Sequence, residues 1–210
     1  DGLIEATLNH DQVVVFYLYK KLTYKYQEAQ KWWLSKSLIY FRKNLEKFNI
    51  NLEIIETESF KIFFDKLFKK NDFSFYWNKV YEPEYLKFDD YLIKNFKNKK
   101  VSYKLCKGNT LNEIDEIKKN DGTPFKVFTP FWRTAEKYYI KKIQSKEKLI
   151  KKCLKSKNYF KNSINPKEIL PNKNWFKNFE NFWLPSEENA LKELSNFIKN
   201  KINNYTDSRN

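Results

Sequence analysis

Seven consecutive residues, Val13-Val14-Val15-Phe16-Tyr17-Leu18-Tyr19, are β-branched, aromatic or leucine. A strand with one wet face would alternate apolar with polar. An unbroken apolar run this short marks a strand covered on both faces, the situation of a parallel sheet with helices above and below it. The chain that follows supplies the rest of that architecture. Between residues 29 and 48, Trp33, Leu34, Leu38, Phe41, Leu45 and Phe48 recur at helical spacings and read as a stripe packed on a core. Leu52-Glu53-Ile54-Ile55-Glu56 predicts a second strand, Ser59 the cap of a helix running through Phe68, and Phe73-Ser74-Phe75-Tyr76-Trp77 a third strand. Pro83 suits the first turn of a further helix with Leu86, Tyr91 and Phe96, and Val101-Ser102-Tyr103-Lys104-Leu105 predicts a fourth strand. Strand and helix in alternation predict an α/β fold built on a parallel sheet with right-handed crossovers.

Beyond the fourth strand the pattern changes. From Phe131 to about Leu154 a basic helix or helix pair carries Trp132, Tyr138, Tyr139, Ile140, Ile143, Leu149 and Ile150 between lysines, which reads as a solvated basic face. Residues 156–182 are rich in Asn, Lys, Ser and Pro, with Pro166 and Pro171 breaking any long element. They read as a connector anchored by Trp175, Phe176 and Phe179. Ser186-Glu187-Glu188 then opens a helix whose apolar positions are Ala190, Leu191, Leu194, Phe197, Ile198 and Ile202.

Several chemistries are excluded by what the chain lacks. Its three glycines, Gly2, Gly108 and Gly122, cannot build a dinucleotide or Walker phosphate loop, since both need glycines at close spacing. Cys106 and Cys153 lie far apart and His10 is the only histidine, so no zinc-ligand spacing exists and no metal is expected. His10 sits in the polar turn Asn9-His10-Asp11 and reads as a solvated loop residue rather than the base of a nucleophilic site. No apolar run reaches the roughly 18 residues of a membrane span, and the N-terminus has no apolar leader, so the expected location is cytoplasmic, without membrane association.

The formal charge of +15 would ordinarily point to a polyanionic partner. Only Arg42, Arg133 and Arg209 of the 41 basic residues are arginine, however, and lysine lacks the bidentate fork used on phosphate or guanine. The excess of Lys, Asn, Ile, Phe and Tyr is what AT-rich codons produce, and it accounts for the charge more simply than a dedicated nucleic-acid groove.

The segment Gly122-Thr123-Pro124-Phe125-Lys126-Val127-Phe128-Thr129-Pro130-Phe131-Trp132-Arg133 is distinctive. Its prolines bracket an extended Phe-Lys-Val-Phe stretch, Thr129 is placed to cap the helix that follows, and none of its residues is an evident acid, base or nucleophile. The segment strongly resembles the G-x-P-[YF]-x-V-[FY]-[TS]-P-[FY] signature of the DNA photolyase and cryptochrome family. Further matches stand in the family's order: Trp33-Leu34 with Ser37-Leu38, Asn78 with Tyr81-Glu82-Pro83 and Asp89, Trp183-Leu184-Pro185-Ser186-Glu187 with Ala190, Leu194 and Phe197, and Tyr205-Thr206-Asp207-Ser208-Arg209-Asn210 as a Y-x-x-x-R-[DN] segment.

This resemblance implies a Rossmann-like doubly wound sheet of order 3-2-1-4-5 that carries a light-harvesting pigment, followed in the family by a helical domain that holds FAD and receives a flipped pyrimidine dimer. Residues 1–155 would be the antenna domain, 156–185 an interdomain connector and 186–210 the first helix of the helical domain. Family proteins begin with a strand and an R-x-D-L-R-x-x-D-N segment ahead of the position matching Leu3. The expectation is therefore a fragment without its first, central strand, leaving unpaired edges on the strands at 13–19 and 73–77. By resemblance the full-length enzyme is a deoxyribodipyrimidine photolyase: the antenna passes blue-light excitation to reduced FAD, which donates an electron to a cyclobutane pyrimidine dimer and recovers it after the ring splits. UV-damaged DNA would bind through the helical domain, the protein would be a monomer, and the fragment alone would be inactive, with no catalytic residue of its own.

Few of the family's functional positions fall in this chain. Tyr205 matches the tyrosine that touches FAD. Folate-binding members place an Asn-Glu pair just after Y-E-x, where this chain has Glu84 and Tyr85, so the pair is absent and folate, deazaflavin or a flavin all stay open as the antenna. Two other readings are a cryptochrome-type photoreceptor, which shares this domain, and a non-enzymatic basic domain that binds single-stranded nucleic acid through cationic and aromatic surface.

Overall fold

The computed structural model describes residues 1–20, 27–68, 73–110, 112–113, 116–139, 149–155 and 157–208. Two compact units are formed, one from residues 1–11 with 67–151, the other from 12–66 with 152–210.

In the 12–66/152–210 unit, strand β1 (Val14–Tyr19) pairs in parallel with β2 (Asn51–Glu56), from Val14 opposite Asn51 to Tyr19 opposite Glu56. The crossover between them is α2 (Glu28–Glu46), which opens with the Gln27 N–H donating to Gln30 Oε1 at 3.0 Å. The expected helix is there, but its buried stripe is Trp32, Ser35, Leu38 and Leu45, whereas Trp33 is 47% exposed and Phe41 40%. Adjacent residues of a helix point about 100° apart, so only one of the two tryptophans can face the sheet. Choosing Trp32 also turns Ser35 inward, where its hydroxyl donates to the Pro166 carbonyl at 2.8 Å. Trp33 meets Trp183 edge to face instead, with ring centroids 6.1 Å apart. Helix α3 (Phe60–Leu67) starts after Ser59, whose carbonyl accepts the Phe63 N–H, and Phe63 of this helix packs on Phe16 of β1 at 5.5 Å.

The outer edge of β2 is covered by an irregular strap. Cys153 N–H donates to Phe48 O at 2.9 Å, Asn49 Nδ2 to Cys153 O at 2.9 Å, Ile54 N–H to Ser163 Oγ at 3.0 Å and Ile164 N–H to Ile54 O at 2.8 Å. Glu53, only 1% exposed, accepts the backbone N–H groups of Tyr159 and Phe160 at 2.6 Å each. A strand edge that would otherwise template aggregation is blunted in this way. The anchors expected in the connector differ among themselves: Phe176 is buried and Phe179 packs on Trp32 at 5.4 Å, while Trp175 is largely exposed against Phe179. Helix α6 (Glu187–Asn200) is capped as expected, Ser186 Oγ accepting the Asn189 N–H at 3.1 Å, and its apolar positions Leu191, Leu194 and Ile198 are exposed.

In the 1–11/67–151 unit, β3 (Ser74–Asn78) pairs in parallel with β4 (Ser102–Cys106). These and β1–β2 are the neighbours that the doubly wound order requires of four such strands. Among the described residues no strand joins the two pairs into one sheet. The β3–β4 sheet has two unlike faces. Phe75, Trp77 and Tyr103 pack on Phe96 of α4 (Pro83–Lys99), at 4.8, 5.7 and 5.2 Å between ring centroids. On the opposite face lie Tyr76, Asn78 and Lys104, which hold a helix that the periodicity had not predicted, α1 (Gly2–Asn9). Gly2 N–H donates to Asn78 Oδ1 at 2.7 Å, Lys104 pairs with Glu5 at 2.7 Å, and His10 Nε2 lies 3.0 Å from Tyr76 Oη. His10 is thus a half-buried partner of a tyrosine rather than a solvated loop residue.

Helix α5 (Phe128–Tyr139) starts three residues earlier than its expected beginning at Phe131. Thr129 therefore lies inside the first turn and not at the cap, and Pro130 stands in that turn rather than closing an extended segment. A first-turn proline costs no hydrogen bond, because its missing N–H would have had no partner there. Of the remainder of the expected basic helix or helix pair, 140–148 lies outside the described residues, as do Arg209 and Asn210, while 150–154 is irregular and not helical. Gly122 adopts φ +79°, in a turn closed by its N–H to Lys119 O at 2.9 Å, which explains the glycine that opens the signature segment. The last helical turn is α7 (Tyr205–Ser208).

Candidate functional site

In open parallel sheets, ligands bind beyond the carboxyl ends of the strands, because that is where the connecting loops diverge. In the unit that holds β3 and β4, the described residues of this rim are 79–85 after β3 and 107–110 with 112–113 after β4. The two loops are joined at three levels. At the backbone, Lys79 N–H donates to Cys106 O at 2.9 Å, and Gly108 approaches so closely that a Cβ there would stand 2.2 Å from Lys79 O and 2.7 Å from the Tyr81 ring. Through side chains, Tyr81 Oη donates to Glu113 Oε1 at 2.6 Å and accepts from Thr110 Oγ1 at 2.8 Å. Lys79 Nζ completes the set, 3.4 Å from Glu113 Oε2 and over the Tyr81 ring.

Helix α4 rises from this rim. Pro83 occupies its first turn, as expected; Glu82 at the cap position makes no side-chain capping bond, although its carbonyl accepts the Tyr85 and Leu86 N–H groups at 3.0 and 3.1 Å, and Tyr81 just before it is tied to Glu113. Glu84 is exposed in the first turn, where the helix dipole favours a carboxylate, and Tyr85 beside it is half-buried. One turn further along, Asp89 faces the core, only 7% exposed, and accepts the Trp77 indole N–H at 2.8 Å. Burial pushes its carboxyl above the usual range, with the Trp77 hydrogen bond opposing and Asp90 adding to the rise. Its Oδ2 is buried without a hydrogen-bond partner among the described residues. Burial likewise raises the Cys106 thiol, with Glu5 adding to the effect.

The residues singled out from the sequence fall on both units. Glu84 and Tyr85 are neighbours at the rim of β3 and β4. Tyr205 belongs to the other unit, where it is 49% exposed and packs edge to face on Phe197 of α6 at 5.5 Å. Of a flavin site the described residues supply that single aromatic edge and no group positioned for phosphates or for the ring nitrogens, so they do not by themselves fit FAD. At the rim an exposed carboxylate, Glu84, and a half-buried phenol, Tyr85, stand together on the first turn of α4. Sequence reasoning missed Thr110 and Glu113, because the 107–120 segment has no periodicity to flag them, and Lys79, which reads as one more lysine just past a strand. Asp89 entered the sequence reading only as a position of the family pattern, and the structure adds that Asp89, Leu92 and Phe96 share the buried face of α4. Among the described residues no group of three His, Cys, Asp or Glu side chains is placed to hold a metal ion, and no helix is long and apolar enough to cross a membrane.

Comparison with known proteins matches residues 1–149 to the DNA photolyase family. The deoxyribodipyrimidine photo-lyase of Agrobacterium fabrum is 26% identical over 216 residues, an alignment that covers 99% of this chain and 43% of that protein. The crystal structure of a bacterial class III photolyase from Agrobacterium tumefaciens superposes with a TM-score of 0.74 at 26% identity, covering 94% of this chain and 41% of the other. An archaeal photolyase from Sulfolobus tokodaii, solved with two FAD molecules, shares the fold with a TM-score of 0.58 at 17% identity, over 80% of this chain and 37% of its own. The chain therefore spans less than half the length of these relatives.

Proposed function

The chain belongs to the DNA photolyase family, and on that premise we propose that it is the antenna-bearing α/β part of a deoxyribodipyrimidine photolyase, which repairs cyclobutane pyrimidine dimers in DNA with blue light. The observation that carries this reading is the nearly complete alignment of the chain with one end-to-end stretch of a named photolyase, over a fold with the same parallel strand pairs. The names of the matched relatives favour repair over a cryptochrome-type photoreceptor.

In this reading residues 1–155 hold the pigment, 156–185 connect, and 186–210 begin the helical domain. FAD, held mainly by the family's helical domain with Tyr205 as one contact, would supply the electron-transfer chemistry, and an antenna pigment would supply the excitation. The residues of this chain bind and orient. Glu84 offers a carboxylate to N–H donors of a heterocyclic pigment, and Tyr85 offers a ring and a hydroxyl beside it. A folate, a deazaflavin and a second flavin all meet that description. Damaged DNA is bound by residues beyond the chain, and the protein acts as a cytoplasmic monomer.

Repair of a dimer-containing oligonucleotide by the protein purified from its source cells, in blue light and in darkness, tests the reading. Light-dependent repair is expected, whereas the 210-residue chain by itself should bind no stoichiometric FAD and repair nothing. Repair by the 210 residues alone would overturn the division of labour. Absence of repair in the native protein, together with oligonucleotide binding that weakens steeply with salt, would favour the basic nucleic-acid-binding domain instead.

A further inference from the structure

We infer that Glu113 is a positioning residue for the pigment site, acting through Tyr81 to fix the turn that presents Glu84 and Tyr85. The inference rests on the antenna reading of that rim. A helix start is normally fixed by its own cap, where a side-chain oxygen takes up one of the orphan N–H groups. Here Glu82 makes no such bond, so the first turn of α4, which bears both candidate residues, lacks its usual anchor. The anchor stands two residues before Pro83. Tyr81 has its hydroxyl doubly engaged, donating to Glu113 Oε1 at 2.6 Å and accepting from Thr110 Oγ1 at 2.8 Å, which leaves the phenol a single orientation.

Glu113 does more than hold one hydroxyl. Its second oxygen faces Lys79 at 3.4 Å, so a single carboxylate bridges the residues on either side of Val80. Gly108 lets the loop beyond β4 come close enough for that bridge to form, since any side chain there would strike Lys79 O. A carboxylate accepting from a phenol is a charge-assisted bond, shorter and stronger than a neutral one, as the 2.6 Å separation indicates. Binding groups held within about half an ångström of their productive geometry lose less entropy on meeting a ligand, and Glu113 adds that rigidity to a turn whose Glu82 carbonyl accepts the Tyr85 and Leu86 N–H groups but which has no side-chain cap. Glu113 itself need not touch the pigment.

The test compares the full chain with Glu113→Gln, Tyr81→Phe and the double variant, using 5,10-methenyltetrahydrofolate, an 8-hydroxy-5-deazaflavin and FMN as probes and reading both affinity and the absorption maximum of the bound pigment. Each single variant should weaken the best-bound probe about fivefold to tenfold and shift its absorption maximum, and the double variant should be no worse than the poorer single one, because both break the same link. Thr110→Val, which leaves the Glu113 bond in place, should weaken binding less, and it provides the reading if Tyr81→Phe does not fold. Variants that lower the unfolding midpoint while leaving affinity and spectrum unchanged would show Glu113 to be structural only and overturn the inference, with the antenna reading intact. Failure of the unaltered chain to bind any of the three probes would overturn the antenna reading, and the inference with it.

Discussion

Glu53 lies wholly inside its unit, and its carboxylate holds the backbone of Phe160 and of the neighbouring Tyr159 through two N–H bonds of 2.6 Å. A buried charge survives only when its lone pairs are used, and here they fasten the strap that covers the β2 edge. Glu53→Gln replaces one acceptor with an amide that must face an N–H. A loss of about 2 kcal/mol is expected in urea unfolding, the scale of a charge-assisted bond given up inside a protein. An unchanged midpoint would mean that the strap is held by its other bonds alone.

Asp89 gives a pH dependence. Its carboxyl is raised above the ordinary value of 3.8 chiefly by burial, so the folded state holds its proton more tightly than the unfolded chain. Its contribution to stability is complete below the unfolded value and is lost as the pH rises through the folded one. Asp89→Asn keeps an oxygen for the Trp77 indole and cannot ionise. Relative to the unaltered chain its unfolding midpoint should climb as the pH rises above the ordinary value of 3.8. Parallel curves for the two proteins would show that burial does not disfavour the charge.

The glycines separate two kinds of strain. Gly108→Ala places a methyl 2.2 Å from a backbone oxygen that cannot retreat without moving the β3–α4 turn, and a loss of about 2–3 kcal/mol is expected. Gly122→Ala meets nothing within 4 Å and suffers only from its φ of +79°, for a loss of about 1 kcal/mol. Denaturant unfolding of both measures the difference, and the reverse ranking would contradict the close approach of the two rim loops. Pigment binding should fall with Gly108→Ala alone, since Gly122 lies outside the rim.

The alternation of unbroken apolar strands with helical stripes was enough to establish a parallel α/β fold, because each signal is local: a run of six or seven residues, a stripe at spacings of three and four, a proline or serine at a helix start. Pro83 and Ser186 stand where that logic puts them. The signature from Gly122 to Arg133 carried the family, although its internal geometry was misjudged, since a proline tolerated in the first turn of a helix looks in sequence like one that ends an extended segment.

What escaped the sequence depends on contacts between distant segments. Neighbouring tryptophans at 32 and 33 leave the phase of the α2 stripe undecided, and it was settled by the Ser35 bond to Pro166 and by Trp183 receiving the other ring. Nothing near Glu53 announces that a glutamate in an apolar strand will be satisfied by the backbone at 159 and 160. Glu113 sits in a loop without periodicity, and its tie to Tyr81 exists only because β3 and β4 are adjacent and Gly108 lets their loops touch. Periodicity determines which elements form, because it is written in each residue's immediate neighbours. The partners of buried polar groups were decided by the tertiary structure alone, because a hydrogen bond requires both ends at a fixed distance and only the completed fold brings those ends together.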